Sequence, residues 1–194
     1  VSEDPITVEG YTVVDGDSES ITIGVEDNVI IFYYYKNVTV TANSGTYEYN
    51  GQPHTVSGYT VSAEGAVFGD LTATRTETNV GEYDVHFFEN NEKVTTDSLK
   101  DKVDETEKYI ITEAREGQLT ITKLAVTVTI AGKNATVPYD GNEHTVTGYD
   151  VDISTTLYTE KDFTFSGEAE AKGTEVGTYP MGLNEKQFTN NNGN

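Results

Sequence analysis

The chain contains Thr46-Tyr47-Glu48-Tyr49-Asn50-Gly51-Gln52-Pro53-His54-Thr55-Val56-Ser57-Gly58-Tyr59. Ninety residues later it contains Thr136-Val137-Pro138-Tyr139-Asp140-Gly141-Asn142-Glu143-His144-Thr145-Val146-Thr147-Gly148-Tyr149. Both stretches place a tyrosine before an Asn-Gly or Asp-Gly pair, and both end in Gly-Tyr. Recurrence at a fixed spacing is the sequence signature of repeated structural units.

Two further blocks flank the repeated stretch in the same order. Upstream, Val38-Thr39-Val40-Thr41 matches Val126-Thr127-Val128-Thr129; downstream, Asn79-Val80-Gly81-Glu82-Tyr83 matches Glu175-Val176-Gly177-Thr178-Tyr179. The alternation of apolar and polar residues predicts strands that bury one face. Asn50-Gly51 and Asp140-Gly141 predict tight hairpin turns, because these dipeptides tolerate positive φ. The sequence therefore predicts tandem β domains.

These blocks divide the chain into a partial β module over 1–36, a first repeat over 37–123 and a second repeat over 124–194. Tyr109-Ile110-Ile111 and Gln118-Leu119-Thr120-Ile121-Thr122-Lys123, separated by Glu116-Gly117, predict a closing hairpin for the first repeat. The second repeat has no counterpart of this hairpin, so we expect its last strand to be missing. Its edge is then either open or covered by a neighbouring chain or module. Because the sequence begins at Val1, we expect a piece of a longer protein.

One short helix is predicted near 98–107. Asp97 or Ser98 is a suitable N-cap, and Leu99 and Val103 lie four residues apart in an otherwise charged stretch. The predicted fold class is all-β with this single helix, built of tandem β-sandwich or β-grasp-like modules in an elongated arrangement.

The charge excludes several classes of partner. The chain has 33 acidic and 12 basic residues, a net charge of −21. Nucleic acid is excluded because phosphate binding needs clustered Lys and Arg. Insertion into a membrane is not expected, because no apolar run reaches about 18 residues. With no cysteine and three histidines, the sequence predicts no catalytic site, no cofactor and no enzyme activity.

Candidate ligand-binding residues are few. In the run Tyr33-Tyr34-Tyr35, Tyr34 faces the opposite side of a strand from its two neighbours, and an aromatic ring on the exposed side is suited to stacking on a sugar. Asp15, Asp17 and Glu19 form a weak calcium candidate that lacks the EF-hand glycine and the bidentate Glu. The three histidines have no metal-binding spacing, so a structural role is expected for them.

Two resemblances follow from these motifs. Residues 1–36, with Gly10-Tyr11, Asp27-Asn28-Val29 and Tyr33-Tyr34-Tyr35-Lys36, resemble the C-terminal half of a MucBP-type repeat, a β-grasp-like module of Gram-positive surface proteins. The tandem repeats resemble the MBG/YDG-type immunoglobulin-like modules of bacterial surface proteins. The residues that carry this second resemblance are the Val-Thr-Val-Thr blocks, Tyr49-Asn50-Gly51, Tyr139-Asp140-Gly141, Asn79-Val80-Gly81-Glu82-Tyr83 and Gly117-Gln118-Leu119-Thr120-Ile121-Thr122-Lys123.

The resemblance implies a non-enzymatic stalk or spacer of a bacterial adhesin that is extracellular and either attached to the cell wall or secreted. It implies no shared catalytic residues. The alternative is a glycan- or mucin-binding module of the same surface protein, with host glycans or mucin as its partners and its site at the tyrosine strand.

Overall fold

The computed structural model describes residues 2–14, 19–20 and 29–194. The predicted all-β class is confirmed, since the described helical segments are 3-10 turns of three residues each and the strands form several sheets. The chain divides into two compact units. The first comprises the described residues up to Tyr47 together with Gln52–Ile121, and the second comprises Glu48–Gly51 and Thr122–Asn194.

The strands of the first unit are short to medium in length. Their bounds are β1 (Ser2–Glu3), β2 (Tyr11–Val13), β3 (Glu19–Ser20), β4 (Tyr34–Ala42), β5 (Gly45–Glu48), β6 (His54–Ser57), β7 (Tyr59–Val61), β8 (Leu71–Glu77), β9 (Gly81–Glu89), β10 (Glu92–Val94), β11 (Tyr109–Arg115) and β12 (Gly117–Thr122).

Two sheets enclose the core of the first unit. One has the order β5-β12-β9-β8-β6, with β10 also paired to β9; the other has the order β11-β4-β2, with β7 also paired to β4. Strand β4 alternates as the sequence predicts, because Val38 and Val40 are 2% and 0% exposed while their neighbours face outward. Tyr59 of β7 meets Phe87 of β9 edge to face, with ring centroids 6.1 Å apart. The first unit is thus a sandwich-like pair of sheets.

Strand β4 runs without a break from residue 34 to residue 42. It therefore crosses the position at which the sequence separates the first 36 residues from the first repeat. Residues 11–13 pair with its first half as β2, and Asn37 N–H donates to Gly10 O at 2.8 Å. Backbone hydrogen bonds thus tie this N-terminal segment to the first unit.

The predicted hairpins are not formed as expected. Gly51 and Gly141 do adopt positive φ, at 75° and 79°. However, β5 pairs with β12 while β6 pairs with β8, so the Asn50-Gly51 turn does not join paired strands. Likewise β11 pairs with β4 and β12 pairs with β9, which places the two closing strands in different sheets. Turn residues report local φ, whereas the choice of partner strand is a tertiary property.

The helix predicted near 98–107 is reduced to a 3-10 turn at Asp97–Leu99. Asp101 and Glu107 have φ of 66° and 53°, which an α-helix does not allow. The carboxylate of Asp104, 3% exposed, accepts hydrogen bonds from Thr106 Oγ1 at 2.6 Å and from the N–H groups of Lys108 and Tyr109 at 2.9 and 3.0 Å. Asp104 therefore closes a loop at the point where the leucine-valine spacing suggested a helix.

The strands of the second unit are β13 (Val128–Gly132), β14 (His144–Thr147), β15 (Tyr149–Ile153), β16 (Phe163–Phe165), β17 (Glu170–Gly173) and β18 (Phe188–Asn190). They form three two-stranded sheets, β13-β15, β14-β17 and β16-β18. The β13-β15 pair matches β4-β7, and the β14-β17 pair matches β6-β8. All fully buried apolar side chains of the described residues belong to the first unit.

Hydrogen bonds at the ends of β4 and β13 show which residues of the two units correspond. Asn43 N–H donates to Gly58 O at 3.0 Å, and Lys133 N–H donates to Gly148 O at 3.0 Å. Asn43 thus corresponds to Lys133, so Val38 corresponds to Val128 and Val40 to Ile130. This alignment is shifted by two residues from the Val-Thr-Val-Thr match, because an alternating pattern is unchanged by a shift of two.

Candidate binding site

An apolar groove of about 570 Å³ lies within the second unit. Its volume falls in the range of about 300–1,000 Å³ that is typical of ligand pockets. The lining residues come from the segment leading into β13, from β13 itself, and from the neighbourhood of β16 and β18. They are Lys123, Leu124, Val126, Val128, Ile130, Tyr158, Phe163, Leu183, Asn184, Glu185, Phe188, Asn190, Asn192 and Asn194.

Alternate residues of the β13 segment form the apolar floor of the groove. Leu124, Val126, Val128 and Ile130 lie on one face and are half-buried. Val38 and Val40, which correspond to Val128 and Ile130, are 2% and 0% exposed in the first unit. The same side-chain pattern is therefore covered in the first unit and partly uncovered in the second.

An aromatic cluster stabilises the opposite side of the groove. The ring of Phe188 lies 4.8 Å from Phe165, 5.5 Å from Tyr149 and 5.9 Å from Phe163, measured between centroids. Aromatic pairs at these distances prefer tilted or edge-to-face geometry, and each contributes about 1 kcal/mol beyond its buried area. This cluster holds β16 and β18 beside the groove.

Polar side chains close the rim. The single hydroxyl proton of Tyr158 is shared between Asp162 O, at 3.1 Å, and Asn190 Oδ1, at 2.9 Å. Asn192 Nδ2 donates to Asp162 Oδ1 at 3.0 Å. Hydrogen bonds from the side chain and backbone N–H of Thr159, with that of Asn192, lower the pKa of Asp162. Apolar floor and amide-rich rim together favour an apolar occupant that also hydrogen-bonds at its edges.

The tyrosine run of the sequence lies in the first unit. Tyr33 is 69% exposed, and its carbonyl accepts from Val14 N–H at 2.8 Å. Tyr34 is half-buried, and its hydroxyl donates to Ile6 O at 2.7 Å. Tyr35 is half-buried and pairs with Thr12 across β2. Among the three, Tyr33 presents the exposed ring.

The calcium candidate falls largely outside the described residues. Asp15 and Asp17 are not described, and Glu19 is described only as a residue of β3. Within the described part of the chain, no group of three or more His, Asp or Glu residues is arranged to hold a metal ion.

The two histidines at matching repeat positions make different contacts. His54 stacks on Tyr47, with centroids 4.6 Å apart, whereas His144 Nε2 lies 2.9 Å from Asp140 Oδ1. His86, which has no repeat partner, contacts Glu116 Oε1 through Nδ1 at 2.7 Å. Each imidazole thus has a local structural neighbour.

The groove was not predicted as a site from the sequence. The alternating pattern placed Val126 and Val128 in a strand with one face on a core. Of the two, only Val128 has a buried counterpart in the first unit, Val38. The signal in the sequence that bears on the groove is the expectation that the second repeat lacks a closing strand.

The structure is that of an all-β protein with an apolar groove in its second unit. Compared with protein-family models, with curated proteins and with solved structures, the chain matches none of them. None of the described helical segments has the length and apolar character that crossing a membrane requires.

Proposed function

We propose that this chain is a non-enzymatic segment of a bacterial cell-surface protein that acts as a stalk or spacer for an adhesin. The observation that carries the proposal is the repetition of strand pairing, with β4-β7 and β6-β8 in the first unit and β13-β15 and β14-β17 in the second. Serial β modules are a common way to build extended repeat proteins, because each module needs mainly its neighbours for stability.

The charge of the chain supports the same proposal. A net charge of −21 keeps neighbouring copies soluble and mutually repelling. The resemblance to MBG/YDG-type modules adds an extracellular setting, attached to the cell wall or secreted.

Small-angle X-ray scattering tests the spacer. A compact chain of this length has a radius of gyration of about 16 Å. A spacer is expected to give a clearly larger radius that does not change with protein concentration. A radius near the compact value would contradict the proposal.

The exposed ring of Tyr33 favours one alternative, a glycan- or mucin-binding module of the same surface protein. A glycan and mucin array tests it with Tyr33→Ala, and the control is Tyr139→Ala, which removes a tyrosine that is 62% exposed in the second unit. A binding module is expected to lose its signal in Tyr33→Ala alone. If the unmodified chain binds nothing on the array, the alternative is wrong and the spacer stands.

A further inference from the structure

One side of the groove is formed by β13, whose counterpart in the first unit, β4, pairs with a further strand. In the first unit β11 runs parallel to β4, with Ile111 opposite Val38 and Ala114 opposite Val40. Ile110 and Ile111 are 6% and 0% exposed there. In the second unit the positions matching Val38 and Val40 are Val128 and Ile130, which line the groove.

Backbone groups of the β13 segment point to the edge of β13 that corresponds to the β11 side of β4. Thr127 N–H donates to Ser154 Oγ and Thr127 O accepts from Ser154 N–H, each at 3.0 Å, so odd-numbered residues bond toward β15. Because bonding direction alternates along a strand, the N–H and C=O groups of Val126, Val128 and Ile130 point to the other edge. The matching group in the first unit, Lys36 N–H, donates to Lys108 O at 2.8 Å just before β11.

This edge lacks the features that protect exposed strands from pairing. Residues 124–132 read Leu-Ala-Val-Thr-Val-Thr-Ile-Ala-Gly, with no charged residue and no proline. Exposed edges are ordinarily blocked by charges, proline or bulges. Among the described residues, no strand pairs with this edge of β13.

Charge argues for a partner other than a second copy. Residues 124–194 contain ten acidic residues and four lysines, a net charge of −6, within a chain of −21. A second copy would add another 21 negative charges, and like charges disfavour association. By contrast, the segment that lies at the matching position in the first unit, 108–115, has two basic residues and one acidic residue.

We propose that the groove of the second unit binds an extended, β-branched and weakly cationic strand of a partner polypeptide, which pairs in parallel with the open edge of β13. Affinity comes from main-chain hydrogen bonds to Val126, Val128 and Ile130, and specificity comes from apolar side chains seated on the floor of the groove. The occupant resembles residues 109–115 in alternation and in length.

A synthetic peptide of residues 108–123, added to the full chain, tests the proposal. The expected result is saturable binding with a dissociation constant of about 1 mM or tighter, with NMR shift changes confined to residues 124–132 and 183–190. A scrambled peptide of the same composition is the control. Absence of saturable binding, or equal binding of the scrambled peptide, overturns the proposal.

Two substitutions separate the floor of the groove from an exposed position outside the groove. Val128→Asp places a carboxylate on the floor and is expected to weaken peptide binding at least tenfold. Thr145→Asp adds the same charge at an exposed position of β14, opposite Lys172 and outside the groove, and is expected to leave binding within about twofold. Equal affinities of the two variants would overturn the assignment of the floor.

A disulfide trap tests the register and orientation of the bound peptide strand relative to β13. This test does not require Val128→Asp to fold. Thr39 Oγ1 donates to Glu113 Oε2 at 3.5 Å, and Thr129 is the residue that matches Thr39. Since the chain has no cysteine, Thr129→Cys is unique. Neighbouring strands lie about 4.8 Å apart, within the Cα range that a disulfide spans.

With glutathione disulfide as the oxidant, the trap is expected to capture a peptide carrying Glu113→Cys at least fivefold faster than one carrying Ile110→Cys. Equal rates would rule out a defined parallel register. Concentration-dependent self-association that protects residues 124–132 without added peptide would instead identify a second copy as the occupant, and the proposal would be wrong.

Discussion

The hydroxyls of Tyr83 and Tyr179 make the same hydrogen bond in the two units. Tyr83 donates to Asn79 O at 3.1 Å, and Tyr179 donates to Glu175 O at 3.1 Å. Each tyrosine follows the Val-Gly pair after a strand that pairs with β6 or β14. Tyrosine corners of this kind, in which a hydroxyl bonds to the backbone a few residues upstream, are a hallmark of immunoglobulin-like sandwiches. This hydrogen bond is a second feature, besides the matching strand pairs, that the two units have in common.

Removing the corner hydrogen bond is expected to destabilise each unit by a similar amount. Tyr83→Phe and Tyr179→Phe each lose one hydrogen bond, which contributes about 1 kcal/mol to the free energy of unfolding. Urea unfolding followed by NMR resonances of each unit measures the two effects separately. Tyr139→Phe, at an exposed position, is the control and is expected to change little. If Tyr83→Phe matches this control, the corner bond contributes nothing to stability.

Asp104 is expected to make stability depend on acid pH. Burial raises the pKa of its carboxyl, but hydrogen bonds from Thr106 and from the N–H groups of Lys108 and Tyr109 outweigh burial and lower it to about 2. A carboxyl whose pKa is depressed on folding stabilises the protein above its unfolded pKa of about 3.9. That contribution, about 2 kcal/mol, is lost as pH falls from about 4 to about 2.

The variant Asp104→Asn tests this contribution. It is expected to lower the free energy of unfolding at pH 7 by about 2 kcal/mol, and to flatten its pH dependence between pH 4 and pH 2. Asp101→Asn is the matched control, because Asp101 is exposed and Asn accepts its positive φ. If the free energy of unfolding falls equally between pH 4 and pH 2 in Asp104→Asn and in the unmodified chain, the lowered pKa of Asp104 is contradicted.

The second unit is expected to open more readily than the first. Val38→Ala removes two methyl groups at a position 2% exposed and is expected to cost about 2 kcal/mol of unfolding free energy. Val128→Ala, at the matching half-buried position, is expected to cost less than about 1 kcal/mol. Hydrogen exchange followed by mass spectrometry measures the effect of both substitutions. In the unmodified chain, the amides of β13 to β18 are expected to exchange through openings of lower free energy than the amides of β4, β9 and β12. Equal protection in the two units would contradict this difference.

Asp140 is expected to titrate well below an ordinary aspartate. Its Oδ1 accepts from Asn142 N–H at 2.9 Å and contacts His144 Nε2 at 2.9 Å, and these contacts, led by Asn142, lower the pKa of Asp140 to about 2. A carbon-detected NMR titration of the carboxyl is expected to show a midpoint near this value. The midpoint should rise only in part in His144→Ala, because the Asn142 bond remains. A midpoint near about 3.9 in the unmodified chain would show that the turn is not formed.

The sequence by itself determined the all-β class, the recurrence of strands and the positions of the turns. Alternating Val and Thr residues dictate which side chains share a face, and Gly51 and Gly141 dictate positive φ, because both are local properties of a few consecutive residues. The two-residue register shift between β4 and β13 could not be found this way, since an alternating pattern matches itself equally well after a shift of two.

Only the tertiary structure decided which strands pair and which edge stays open. The strands before and after Asn50-Gly51 form their backbone hydrogen bonds with β12 and β8, not with each other. The stretch around Asp104 forms a loop with hydrogen bonds to a buried carboxylate, in place of the predicted helix. Partner choice depends on burial and on hydrogen bonds between distant residues, which no local pattern encodes. Val128 and Ile130 are half-buried, whereas their counterparts Val38 and Val40 are buried in a sheet that also contains β11.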